Sequence, residues 1–176
     1  AATTPASLAA EVDAIVICVS ADADVLAVVR AIAPAVRAGA LVIDCSTVSA
    51  AAAREAAALV AARDAAFLDC PVSGGVEGAR DATLAVMCGG EASAFERARP
   101  LLAAMGRTIT HFGASGAGQA AKATNQIMCA GIIRAVAEAM DGAGPVSSVA
   151  AELKDLEAAM ADPDRADEMD SIVERY

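Results

Sequence analysis

Short apolar segments alternate with longer helical segments along most of this chain, and this alternation restricts the fold more than any other feature. The first apolar run, residues 14–19 (AIVICV), is continuous rather than alternating, which is typical of a strand buried on both faces of a parallel sheet. Strands are likewise predicted at 41–45, 66–70, 84–89 and 107–112, and helices at 5–11, 22–36, 49–63, 91–105 and 116–140. This order predicts a doubly wound, mostly parallel α/β sheet followed by a long helix.

The chain changes character after residue 140. Residues 141–145 (DGAGP) form a cluster of helix-breaking residues, and 162–170 (DPDRADEMD) is acidic and polar. We therefore expect a partial sheet domain over 1–115. Residues 116–176 then hold the long helix and part of an all-α C-terminal domain, with helices at about 147–160 and 166–175.

Composition argues against several classes of protein. The net charge is −10, and an acidic surface repels phosphate backbones, so nucleic acid is not expected as a partner. The five cysteines include no CxxC pair and are interpreted as buried, reduced thiols, which favours the cytoplasm. The single histidine, His111, has no ligand partner at suitable spacing, so no metal is expected. We expect neither a signal peptide nor a membrane span.

Two segments place polar residues after predicted strands, where ligands bind in doubly wound sheets. In residues 44–49 (DCSTVS) the hydroxyls could contact a ribose or a phosphate, or one of them could instead cap the following helix. In residues 69–78 (DCPVSGGVEG) a serine and two glycines expose consecutive amides that could hold a carboxylate. The alternative for this second segment is an ordinary tight turn.

A third segment lies on the predicted long helix, at residues 119–126 (QAAKATNQ). Gln119, Lys122 and Asn125 share one face through their spacing of three residues. A lysine among small apolar residues, beside amide side chains, could act as a proton donor. The alternative is a surface lysine whose charged end reaches solvent.

Together these segments resemble the β-hydroxyacid dehydrogenase family, which includes the 3-hydroxyisobutyrate dehydrogenases. The family pattern D-x-S-T-x-x-P corresponds to residues 44–50, although Ala50 replaces the proline. The pattern D-A-P-V-S-G-G-x-x-G-A-x-x-G-T-L-x-x-M-x-G-G corresponds to 69–90, although Ala82 replaces a glycine. The pattern G-x-G-x-x-x-K-x-x-N-Q corresponds to 116–126, and the three follow one another in the family's order.

The resemblance implies a Rossmann-like dinucleotide-binding domain, NAD or NADP as the cofactor and a small hydroxyacid as the substrate. It implies that Lys122 is the general acid/base and that Asn125 orients the substrate and the lysine. It also implies that Ser73, Gly74 and Gly75 bind the substrate carboxylate. Residues expected at the cofactor are Val19, Ser20, Thr47 and Lys154. A homo-oligomer, either a dimer or a tetramer, is expected by the same analogy.

Parts of the family pattern are not found in this sequence. The Gly-rich G-x-G-x-M-G loop does not occur before the first predicted strand, and few residues follow the long helix. We read this as a truncated chain or as a sequence with omitted segments, and expect these residues alone to bind a dinucleotide weakly. A non-catalytic relative that acts as an oligomerisation or interaction module is the main alternative. An imine reductase or a relative of 6-phosphogluconate dehydrogenase is a weaker one.

Overall fold

The computed structural model describes residues 2–141, and within them six strands form a single sheet. The strands are β1 (Ala14–Ile17), β2 (Leu41–Asp44), β3 (Ala66–Asp69), β4 (Val72–Ser73), β5 (Leu84–Gly90) and β6 (Gly106–Gly113). The helices are α1 (Pro5–Ala9), α2 (Asp22–Ile32), α3 (Ala50–Ala61), α4 (Gly75–Arg80), α5 (Ala92–Leu102) and α6 (Ala117–Asp141).

The sheet has the order β1-β2-β3-β5-β4, with β6 also paired to β5. Strands β1, β2 and β3 are parallel to one another, and β6 is parallel to β5. Strand β5 runs antiparallel to β3, and the short β4 runs antiparallel to β5. The predicted fold class, a Rossmann-like and mostly parallel α/β sheet followed by a long helix, is therefore confirmed.

Helices cover both faces of the central strands, so the continuous apolar runs of β2, β3 and β5 are mostly buried on both faces. The prediction of burial on both faces is wrong for β1, whose Val16 is 52% exposed, because this strand lies at the edge of the sheet, outside the area that α5 covers. On one face, side chains of β1, β2 and β3 pack with those of α1, α2 and α3; Val25, Val29 and Val60 are fully buried there. On the other face, β2, β3 and β5 pack against α5, whose Ala98 and Leu102 are fully buried.

Local sequence signals set most of the helix ends. Thr4 caps α1 by accepting the N–H of Ser7 at 3.1 Å, and Pro5 fills the first helical position. Helix α2 ends at Ile32 rather than at the predicted residue 36, because Pro34 disfavours a continued helix. Strand β4 and helix α4 were not predicted, since both lie in the segment interpreted as a Ser-Gly-Gly turn.

The chain divides into two compact units, one ending at Lys122 and the other beginning at Ala123. The sheet, its flanking helices and the first residues of α6 belong to the first unit. Within the described residues no helix is long and apolar enough to cross a membrane. Lys154 and the helices predicted at 147–160 and 166–175 lie outside the described residues.

Candidate functional site

Ser46 connects the loops that follow β1 and β2 by a hydrogen bond. The Ser46 hydroxyl accepts the N–H of Val19 at 2.9 Å, and the N–H of Ser46 donates to Asp44 Oδ1 at 3.0 Å. Ser46 is 2% exposed, so its side chain holds the two loops together rather than facing a ligand. The loops therefore form one surface at the carboxyl ends of adjacent parallel strands, the position at which such sheets bind dinucleotides.

The hydroxyls that remain exposed on this surface belong to Ser20 and Thr47. Ser49 has a different role: it is the N-cap of α3, where its oxygen accepts the N–H of Ala52 at 3.0 Å. The N–H and the hydroxyl of Ser49 both donate to the Asp22 carboxylate at the start of α2. The capping alternative is thus confirmed for Ser49, and the exposed hydroxyls of Ser20 and Thr47 fit a ribose or phosphate partner.

The carboxylate of Asp69 holds the start of α6 at the end of β3. Its two oxygens accept the N–H groups of Gly116 at 2.8 Å and of Gln119 at 3.0 Å. Burial raises the pKa of Asp69, while these amide hydrogen bonds favour the charged form and oppose the rise. A carboxylate at a helix N-terminus also interacts favourably with the helix dipole.

Glycine allows α6 to approach the sheet closely. A Cβ at Gly118 would lie 2.5 Å from the carbonyl oxygens of Asp69 and Met87, closer than any side chain tolerates. Gly89 on β5 faces the same region, since a Cβ there would lie 2.6 Å from Asp69 Oδ1. Gly118 and Gly89 are therefore the positions at which the helix and the sheet come into close contact, whereas a Cβ at Gly116 would meet Ala50 and Arg54 of α3.

Lys122 lies three residues after Gln119 on α6 and is buried, with 7% of its surface exposed. The alternative of an ordinary surface lysine is therefore wrong. Charged side chains are rarely buried in proteins unless they are paired or functional, so its burial singles it out. Asn125 follows three residues later on the same helix, in the second compact unit.

The Ser-Gly-Gly segment forms a strand-to-helix connection. Ser73 ends β4, opposite Ala85 of β5, and is partly buried. Gly74 (φ +137°) and Gly75 (φ +64°) are exposed and adopt backbone conformations that favour glycine. Ser73 therefore pairs with a residue of β5 that is two positions from Met87, whose carbonyl oxygen lies close to Gly118 at the start of α6.

The cysteines only partly follow the sequence interpretation. Cys45, Cys70 and Cys88 are buried free thiols, whereas Cys18 and Cys129 are exposed, so the prediction of buried thiols was wrong for those two. Burial raises the pKa of Cys45 to about 12, which keeps this thiol protonated and unreactive. Within residues 2–141, no group of three His, Cys, Asp or Glu side chains is arranged to hold a metal ion.

Two residues of this region are not among the site residues predicted from the sequence. Gln119 was noted only as sharing a helix face with Lys122, and Asp69 only as part of a motif. Both are buried polar side chains that connect elements far apart in the chain. The sequence did offer a signal for both residues. Asp69 ends an apolar run, and Gln119 directly follows the glycine-rich residues 113–118.

Comparison with known proteins agrees with this architecture. Residues 1–113 match the family described as the NAD binding domain of 6-phosphogluconate dehydrogenase. The NAD-dependent L-serine dehydrogenase of Pseudomonas aeruginosa is 50% identical over 102 residues, covering 58% of this chain and 34% of that protein. The 3-hydroxyisobutyrate dehydrogenase of the same organism is 49% identical over 100 residues, covering 57% of this chain and 34% of that protein.

A solved structure gives the same result. The Mycobacterium tuberculosis 3-hydroxyisobutyrate dehydrogenase with L-serine has a TM-score of 0.74 and 44% identity, covering 77% of this chain and 46% of that one. The chain thus spans about half the length, or less, of the relatives that it matches. It belongs to the β-hydroxyacid dehydrogenase family, with a dinucleotide-binding domain of the 6-phosphogluconate dehydrogenase type. The cofactor of this family is NAD or NADP.

Proposed function

We propose that this protein interconverts a small β-hydroxyacid and its semialdehyde or keto form, using NAD or NADP, with Lys122 as the general acid/base. The observation that carries the proposal is the burial of Lys122 on the helix whose first turn is hydrogen-bonded to Asp69 and to the loop after β2. Burial of a lysine beside the ligand-binding edge of a doubly wound sheet supports a chemical role for it.

The cofactor side of the site is assigned to the loops after β1 and β2. Ser20 and Thr47 offer exposed hydroxyls there, and Val19 forms the turn that Ser46 holds in place. Lys154 is proposed as a further cofactor contact from the family resemblance alone. A dinucleotide bound by these residues would supply hydride chemistry at the carbon that carries the substrate oxygen.

Lys122 completes the proton balance of that reaction. In the reductive direction the substrate oxygen gains negative charge as the carbonyl bond opens, and the Lys122 ammonium gives it a proton, leaving an alcohol and a neutral amine. In the oxidative direction the amine takes the hydroxyl proton. Asn125 is proposed to orient the substrate and the lysine.

The substrate class follows from the groups proposed to bind it. The amides of Gly74 and Gly75, together with the Ser73 hydroxyl, would hold a carboxylate, and Lys122 would meet the hydroxyl oxygen. 3-Hydroxyisobutyrate and L-serine, which are named for the relatives, both carry a carboxylate and a hydroxyl on the β carbon. We further propose a cytoplasmic homo-oligomer, either a dimer or a tetramer.

The experiment compares Lys122→Ala with the unaltered protein. Loss of the general acid/base should lower kcat by about 10²–10⁴-fold, while the dissociation constant for the dinucleotide, measured by fluorescence titration, stays nearly unchanged. Arg107→Ala, which removes an exposed cation on β6, is the control and should leave both values as they were. Near-normal kcat in Lys122→Ala would overturn the proposal. If the unaltered protein itself turns over no hydroxyacid, the result would favour the alternative of a non-catalytic relative.

A further inference from the structure

The side chain of Gln119 is buried, with 3% of the residue exposed, and both ends of its amide are hydrogen-bonded. Its Nε2 donates to the carbonyl oxygen of Ser46 at 2.8 Å, and its Oε1 accepts the N–H of Val48 at 3.1 Å. The two partners fix the orientation of the amide, because a flipped amide would face a donor with a donor and an acceptor with an acceptor.

The two hydrogen bonds clamp the loop that contains Thr47. Ser46 and Val48 flank Thr47 directly, so the Gln119 amide holds this loop from both sides. The Ser46 hydroxyl continues the chain of contacts to Val19, in the loop after β1. Both loops proposed to face the dinucleotide are therefore connected to one side chain on α6.

The backbone of Gln119 is fixed as well. Its N–H donates to Asp69 Oδ2 at 3.0 Å, and the other oxygen of Asp69 holds Gly116 one turn earlier. Lys122 follows Gln119 by three residues, close to one helical turn. The start of α6 is thus attached to β3 through Asp69 and to the loop after β2 through Gln119.

We infer that Gln119 is a positioning residue, which sets the place of Lys122 relative to the loops that face the dinucleotide. The inference rests on the function proposed above. Hydride transfer requires the substrate carbon to lie at the nicotinamide while the substrate oxygen lies within hydrogen-bond reach of Lys122. Gln119 lies on α6 with Lys122 and is hydrogen-bonded to the loop after β2. It therefore fixes the distance between Lys122 and the loop that is proposed to face the dinucleotide.

An apolar side chain of similar size could fill this space, so packing alone does not require glutamine. Removing the amide leaves the Ser46 carbonyl and the Val48 N–H without their present partners inside the protein. The loop can satisfy them only by moving towards water, away from α6. The expected defect therefore combines weaker dinucleotide binding with misplacement of Lys122.

The test uses Gln119→Leu, which removes both hydrogen bonds at nearly the same volume, and Gln119→Glu, which keeps the acceptor for Val48 but turns an oxygen towards the Ser46 carbonyl. For Gln119→Leu we expect kcat to fall roughly 100-fold, because a displacement of about 1 Å costs that much. The KM for the dinucleotide should rise in both variants. Val60→Ala shortens a fully buried side chain in the core between α3 and the sheet, so it is the control for destabilisation alone and should keep kcat.

A double variant separates positioning from a general structural role. If Gln119 acts through Lys122, Gln119→Leu combined with Lys122→Ala has the kcat of Lys122→Ala alone. The inference would be overturned if Gln119→Leu lowered kcat by the same factor in the unaltered protein and in Lys122→Ala. An unchanged kcat in Gln119→Leu would overturn it as well. Normal turnover in Lys122→Ala would instead defeat the proposed function. A low Lys122→Ala rate with a normal Gln119→Leu rate would defeat only the inference.

Discussion

Asp44 and Asp69 are paired in register on the adjacent parallel strands β2 and β3, and both are fully buried. The oxygens of Asp69 accept amides of α6, and Oδ1 of Asp44 accepts the N–H of Ser46. Oδ2 of Asp44 makes no hydrogen bond within residues 2–141. Burial raises the pKa of Asp44 above its ordinary value of 3.8, and the neighbouring Asp69 carboxylate adds to the rise.

This pairing predicts that part of the protein's stability depends on pH. Between 3.8 and the raised pKa, the folded state binds more protons at Asp44 than the unfolded chain does. The free energy of unfolding therefore falls as the pH rises through this window. The stability that the protonated Asp44 contributes is fully present only at pH values below the window.

Asp44→Asn keeps the shape of the side chain without the charge, so denaturant unfolding of this variant should show a smaller fall in unfolding free energy with pH. Asp24→Asn, an exposed carboxyl on α2, is the control, and an unchanged slope in Asp44→Asn would contradict the assignment.

The backbone conformation of Ala82 predicts that replacing this residue with glycine stabilises the protein. Ala82 stands where the family pattern has glycine, and its φ of +54° lies in the left-handed region that costs an L-residue about 1–2 kcal/mol. Ala82→Gly removes this strain but adds freedom to the unfolded chain, so we expect a net gain of about 0.5–1 kcal/mol in unfolding free energy. Ala58→Gly, on the exposed side of α3, should lose a similar amount. Equal effects of the two substitutions would show that the strain at Ala82 is not real.

The close contact of Gly118 with the sheet predicts that a single methyl group added at this position destabilises the protein strongly. In Gly118→Ala the Cβ would press on the carbonyl oxygens of Asp69 and Met87, both backbone atoms that cannot turn aside. Displacement of α6 should lower the unfolding free energy by about 3 kcal/mol and should lower turnover as well. Gly39→Ala is the matched control, because its Cβ meets nothing within 4 Å and only its φ of +77° is strained. If both variants unfold at the same denaturant concentration, the close approach is absent.

The sequence predicted elements better than it predicted connections between them. Continuous apolar runs located β1, β2, β3 and β5, and β6 was predicted without such a run. Strand β4 was missed, because two residues between a proline and a glycine pair carry no periodic signal. The reversed direction of β5 was not predicted, since strand direction depends on the path of the connection rather than on the strand's own residues. The hydrogen bonds from Gln119 to residues 46–48 join positions more than 70 apart in sequence, which local patterns cannot encode.

The last prediction concerns the substrate carboxylate. A Cβ at Gly75 would meet nothing within 4 Å, and the chain already carries an alanine, Ala82, at a similar positive φ. Gly75→Ala should therefore fold, with a loss of about 1 kcal/mol in stability, while its methyl group occupies the open space beside the exposed amides. Ser73→Ala removes a hydroxyl from the same place. If this segment holds the carboxylate, each variant loses a hydrogen bond to a charged group, worth about 1.5–3 kcal/mol.

That loss corresponds to a KM for the hydroxyacid raised roughly 10- to 100-fold, with the KM for the dinucleotide unchanged. Steady-state kinetics with the hydroxyacid and with its carboxamide provide the measurement. The carboxamide keeps the β-hydroxyl but lacks the negative charge, so it should be a poor substrate for the unaltered protein and should lose little more in the variants. If both variants raise the KM of the carboxamide as much as that of the acid, the segment does not recognise the carboxylate. The effect would then come from displacement of β4 against β5.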